Sequence, residues 1–205
     1  MQLQPITLFV IAITVGVSIT AWQQPLWIQR LIYSPTAVNR GEWWRLLTHG
    51  FVHADGGHLL VNMLVLFFFG STMERVLTGA VGPVGFVLFY LAGIVIAILP
   101  THFRHMRDSS YRSLGASGAV SAMLFAYILL QPWSMLIVMI VPMPAIVFAV
   151  GYVWYSVWAD RQARDSVNHG AHMWGAVWGV AFMLLLEPRL LPRFVERVLS
   201  PPWLG

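Results

Sequence analysis

SLGASGAVSAMLFAYILLQPWSMLIVMIVPMPAIVFAVGYVWYSVWA, residues 113–159, runs its whole length without one charged side chain. A helix crosses the hydrocarbon core of a bilayer in about 20 residues, so this stretch is too long for one span and long enough for two. Pro132, Pro142 and Pro144 fall in its middle, where each removes a helical hydrogen bond. It therefore predicts two membrane helices, 115–130 and 145–158, joined by an apolar, re-entrant connection over 131–144.

Working outward, charges mark the ends of four more apolar runs. These predict spans over 5–22, 58–72, 81–99 and 167–186, with a Gly-containing turn between the second and third. The expected fold is an all-α, polytopic bundle of six transmembrane helices in a single domain, residues 1–205. A long first loop, 23–57, is Trp-rich and interfacial in character. No charge precedes Arg30 and no small-residue cleavage site is evident, so the first run reads as a retained span and not as a signal peptide. Composition agrees: 58% of residues are hydrophobic, 10% are charged and the mean hydropathy is +0.71, values that call for a lipid bilayer as solvent. With no cysteine, disulfides, thiolate zinc sites and cysteine nucleophiles are excluded. The basic residues are all arginine and lie scattered between apolar runs, a pattern of loops meeting headgroups and not of nucleic-acid binding.

Polar residues inside such a chain are costly and therefore informative. Three groups stand out: His53, His58 and Asn62; Ser117 among Gly115 and Gly118; and His169 with His172. Spans alternate in direction, so the second, fourth and sixth begin on the same side of the membrane, and all three groups meet at one face. There Ser117 can act as nucleophile and His172 as its base. The start of the fourth helix supplies backbone N–H groups for an oxyanion, and His58 and Asn62, spaced i and i+4, aim donors at the same oxygen. Ala171, Gly175 and Gly179 form a small-residue stripe that lets helices approach closely. His49, His102, His105 and His169 read as loop or interfacial residues, and Asp165 lies too far from His172 in sequence to orient it, so a dyad without a carboxylate is expected.

Together these residues resemble the rhomboid proteases. The run Glu42-Trp43-Trp44-Arg45-Leu46-Leu47-Thr48, then His53, His58, Asn62-Met63, Gly70 and Glu74, is similar to their first loop and second helix. Gly115-Ala116-Ser117-Gly118 is similar to their nucleophile motif, and Ala171-His172 with Gly175 and Gly179 to their sixth-helix motif. The resemblance implies an intramembrane serine endopeptidase that hydrolyses transmembrane segments of other membrane proteins, with no cofactor and no metal. It implies that Ser117 attacks and His172 serves as base and then acid. His58, Asn62 and the Ser117 amide would hold the oxyanion, with His53 supporting and Gly175 as the closest packing point of the sixth helix on the fourth. Arg45 and Glu74 would be structural, and water would enter through a polar cavity on one side. Two features depart from the family pattern. Ser121 stands where many bacterial members carry an aromatic residue able to stack on the histidine. A cytoplasmic N-terminus, with the site opening to the periplasmic or extracellular side of a bacterial inner membrane, leaves most arginines outside, against the positive-inside rule. The competing readings are an intramembrane zinc protease, a haem cytochrome, a transporter and a non-proteolytic rhomboid-like binding protein. The first three lack, respectively, a carboxylate near a His pair, mid-span facing histidines and mid-span acidic groups; the fourth usually lacks the serine or the histidine present here.

Overall fold

A computed structural model of the chain describes residues 4–138, 140–162 and 167–203. Helix α1, Pro5–Gln23, is followed by a first loop built from short helices α2 (Pro25–Leu31), α3 (Pro35–Asn39) and α4 (Arg45–Thr48) and a 3₁₀ turn, His49–Phe51. Then come α5 (Gly56–Val65), a π-helical turn (Leu66–Gly70) and α6 (Ser71–His105), which run on without a loop. They are followed by α7 (Ser117–Leu130), strands β1 (Met135–Val138) and β2 (Val141–Pro144), α8 (Ala145–Gln162), α9 (His169–Leu186) and α10 (Leu190–Leu199). Pro5–Gln23, Gly56–His105 and His169–Leu186 are each long and apolar enough to cross a membrane, and Ser117–Leu130 is a shorter apolar helix. The chain is a polytopic helical bundle and an integral membrane protein.

The continuous helical stretch Gly56–His105 is more than twice the length a bilayer needs. It is broken at Gly82, whose φ of 74° and ψ of 171° are not helical, with Pro83 next in line. It doubles back there, since His58 near one end and Ala97 near the other both lie against the start of α7. The break comes later than the turn expected after residue 72. Glu74 is buried because its carboxylate accepts hydrogen bonds from the Ile6 and Thr7 amides at 3.0 and 2.6 Å, capping the start of α1, so its charge does not end the helix. The connection 131–144 is a β-hairpin, with Met135 opposite Pro144 and Val138 opposite Val141.

Helix α7 is the axis of the bundle: from Gly118 to Leu129 nearly every residue is buried. Gly93 of α6 lies on Ala119, and a side chain at Gly118 would meet Ala97. On the other side a methyl group at Gly175 or Gly179 of α9 would collide with the Gly118 and Ala122 carbonyls, so α7 and α9 touch backbone to backbone. The first loop is braced by Arg45, which pairs with Glu42 at 2.6 Å and donates to the Gln29 and Ile32 carbonyls at 2.6 and 2.8 Å. At the opposite end, Trp133 donates to the Arg197 carbonyl at 2.8 Å and Arg197 donates to the Leu130 carbonyl, closing the end of α7.

Candidate active site

Four hydrogen bonds hold the segment leading into α7 against the first loop. Tyr33 and Ser113 exchange a pair of backbone bonds at 2.9 and 3.3 Å, the Gly115 amide donates to the His49 carbonyl at 2.9 Å, and the Ala116 amide donates to His53 Nε2 at 3.3 Å. Gly115 has a φ of 111°, and a β-carbon there would lie 2.7 Å from the His58 ring, so both its conformation and its neighbour require glycine. Ser117 follows as the first residue of α7. Its amide is one of the N–H groups that a helix start leaves without an intrahelical partner, at the positive end of the dipole.

His53 is fully buried and its tautomer is determined by its partners. A backbone amide can only donate, so Nε2 accepts from Ala116 and Nδ1 carries the proton. That proton points to Ser18 Oγ at 3.1 Å, and the Ser18 hydroxyl in turn donates to the Phe51 carbonyl at 3.0 Å. The Trp22 indole donates to the His53 carbonyl at 2.8 Å. Burial, with the neighbouring His58 second and Asp55 opposing, pushes the His53 pKa down to about 4, which keeps the neutral tautomer the chain of bonds needs. His49, expected to be a loop or interfacial residue, lies in the first loop but is buried there against Tyr33, and burial lowers its pKa to about 3.

The His58 ring stands edge-on to that of His53, with centroids 4.9 Å apart, and its amide is capped by Asp55 Oδ1 at 2.8 Å. Asn62 is buried one turn further on; its side-chain amide donates to the His58 carbonyl at 2.9 Å, which uses one of its two donors and leaves one. The first loop, the start of α5 and the start of α7 thus come together around Gly115.

Helix α9 is tied in by the residue that caps its start. Asn168 Oδ1 accepts from the Ala171 amide at 2.9 Å and from the Thr101 hydroxyl at 3.1 Å, while its amide reaches Ser113 Oγ at 3.4 Å. The Ala171 carbonyl lies next to Gly118 and Gly175 lies on it, so the turns carrying Ser117 and His172 face each other. His169 is buried, with its ring edge-on to Tyr155 and to His172. The His172 imidazole lies nearly parallel to the Tyr152 ring of α8, centroids 6.1 Å apart at 18°, and the Tyr152 hydroxyl is 2.6 Å from that of Ser121. Asp165 lies outside the described residues. A cavity of about 430 Å³, lined by Thr101, Arg104, Tyr111, Asp160 and Asn168 among others, opens beside the start of α9. Among the described residues no three of His, Asp or Glu gather as a metal site would require.

Ser18, Tyr152 and Asn168 are the neighbours that the sequence did not single out. A hydroxyl on α1, a tyrosine midway along α8 and an asparagine at a helix start are ordinary in isolation. Asn168 alone carried a local signal, as a cap residue before an apolar run.

A family model described as the Rhomboid domain matches residues 40–189. The chain is 31% identical over 131 residues to the putative rhomboid protease YdcA of Bacillus subtilis, covering 62% of this chain and 63% of that one. It is 30% identical over 143 residues to the RHOMBOID-like protein 12, mitochondrial, of Arabidopsis thaliana, covering 64% and 43%. Against the rhomboid protease GluP of Bacillus subtilis it is 42% identical over 84 residues, covering 40% and 15%. The chain thus spans less than two thirds of the length of each of these relatives.

Proposed function

The chain belongs to the rhomboid family, and from that premise we propose that it is an intramembrane serine endopeptidase working through a Ser117–His172 dyad. The observation that carries the reading is the contact of Gly175 with the Gly118 backbone, because it leaves no room for side chains between the turns that bear the serine and the histidine. In the first step Ser117 Oγ attacks the peptide carbonyl as His172 takes its proton, and His172 passes that proton to the departing amine. The carbonyl oxygen, now negative, is held by the Ser117 amide with side-chain donors from His58 and Asn62. A water then attacks the acyl-enzyme with His172 again as base, freeing the carboxylate product and Ser117. His53, Gly115 and Gly118 act as supports, fixing the backbone on which Ser117 stands. The two ring nitrogens of His53, both occupied, support this: Nε2 accepts from Ala116 and Nδ1 bonds Ser18, which makes it a brace for the segment before the nucleophile.

The substrates are transmembrane segments of other membrane proteins. The proposed location is the inner membrane of a bacterium, with the site opening to the periplasmic or extracellular side. Of the arginines that would oppose this orientation, Arg45 is buried on Glu42 and two carbonyls, while Arg104, bonded to Asp160 at 2.7 Å, and Arg112, bonded to the Ser109 and Tyr111 carbonyls, are exposed. Purified protein in detergent is expected to cleave a single-span substrate and to be labelled by a fluorophosphonate, with Ser117→Ala and His172→Ala silent in both assays. Cleavage surviving Ser117→Ala would remove the serine dyad, and binding of the substrate without any cleavage would remove the protease reading.

A further inference from the structure

His172 projects from α9 on a side chain whose final torsion is broad, so the direction of its nitrogens depends on what lies against the ring. That neighbour is Tyr152, nearly parallel to the imidazole. Tyr152 is held in turn. Its hydroxyl pairs with that of buried Ser121, and its ring packs between Phe125 and Phe148, each 5.5 Å away. Ser121 stands four residues after Ser117, one turn along the same face of α7. One side chain from a third helix therefore touches both the ring of the base and the helix face of the nucleophile. Tyr152 lies on the inward stripe of α8, in line with buried Ala145, Ala149, Ser156 and Ala159, while Val147, Val150, Trp154 and Trp158 are exposed on the other faces.

We propose that Tyr152, anchored by the Ser121 hydroxyl, is a positioning residue that holds the His172 ring plane toward Ser117. The small side chain at 121 leaves the space beside His172 open, and α8 fills it with a ring whose hydroxyl needs a partner that serine supplies. A buried hydroxyl pair is costly to break, so the ring is held at both its edge and its tip. This rests on the dyad reading above, and it adds a residue on α8 through which the catalytic geometry depends on that helix.

The test uses the full chain in detergent, a single-span substrate, the rate of fluorophosphonate labelling and a melting temperature for each variant. Tyr152→Leu is expected to lower kcat about 10- to 100-fold, as misplaced catalytic groups do, with KM within about twofold and folded protein retained. Tyr152→Phe and Ser121→Ala should each lower kcat by a smaller, similar factor, and together no further, because they break the same bond. Ser121→Phe placed in the Tyr152→Leu background returns a ring beside His172 from α7 and should recover about fivefold or more of the lost rate. Wild-type turnover by Tyr152→Leu, a loss explained by KM or by the unfolded fraction, or no recovery in the double variant would each overturn the proposal. A wild-type protein that neither cleaves nor labels at Ser117 would instead overturn the dyad, a result separate from any of these.

Discussion

Helices α9 and α8 both lean on α7, and they do so by opposite means. At the α9 contact, glycines remove side chains altogether, and the Gly118 and Ala122 carbonyls form the surface. At the α8 contact a tyrosine reaches across to a serine hydroxyl. The first arrangement is rigid, because backbone cannot rotate aside; the second is more adjustable, because side chains make it: the Tyr152–Ser121 pair, and Leu124, Phe125 and Ile128 packed against Ala145, Ala149 and Phe148. In the proposed dyad, the serine and the histidine stand on the rigid seam, and orientation of the imidazole would fall to the adjustable one.

The sharpest way to break this comparison is Gly175→Val. Overpacking ordinarily costs about 1–3 kcal/mol, and here it is backbone that must yield, so a loss at or beyond about 3 kcal/mol is expected, with activity abolished. Retained folding and turnover would mean the seam is not rigid.

The next largest effect concerns the first-loop brace over the start of α7, which follows neither pattern because it depends on a charge state. His53 ordinarily titrates near 6.5 and in the folded protein near 4, so the unfolded chain takes up the proton first as pH falls. Its contribution to stability is complete above about pH 6.5 and declines as the pH drops toward about 4, and buried His49 adds to the loss in the same direction. Melting of the inactive Ser117→Ala variant across that range should show the decline, and His53→Gln should flatten it. A flat profile in both would remove the brace from the account.

A smaller loss is expected at the start of α9, where Asn168→Ala removes a helix cap together with its bonds to Thr101 and Ser113; about 1–2 kcal/mol of stability should go. The smallest effect is expected on the exposed face of α8. Gly151→Ala should be neutral or raise stability by up to about 1 kcal/mol, since the site is open and alanine favours the helix. A marked loss there would mean that this exposed face of α8 is not open.

Much of this contrast was legible in residues 113–187. The Ala171, Gly175 and Gly179 stripe and the glycines around Ser117 pointed to close approach, because small residues at helical spacing permit only one kind of contact. Ser121 marked a gap beside the histidine. What filled the gap was not legible, since one of several aromatic residues on α8 had to be chosen by the rotation of that helix. The charge at Glu74 suggested a helix end and proved to be a cap for α1, because a carboxylate bonded to free amides need not leave the membrane. The hairpin at 135–144 carried only the signal of its prolines, which exclude helix without choosing a replacement.

By itself, the sequence determined the solvent and the helical class, since these follow from hydropathy and periodicity, and it pointed to the chemical types proposed for the site. Tertiary structure alone decided which nitrogen of His53 holds its proton, that Gly82 is where the chain turns back, that Asn168 ties α9 to α6, and that a tyrosine from α8 lies on His172. Each of these depends on distances between residues far apart in the chain, and a hydrogen bond or a ring contact exists only when two such groups arrive within a few ångströms of each other.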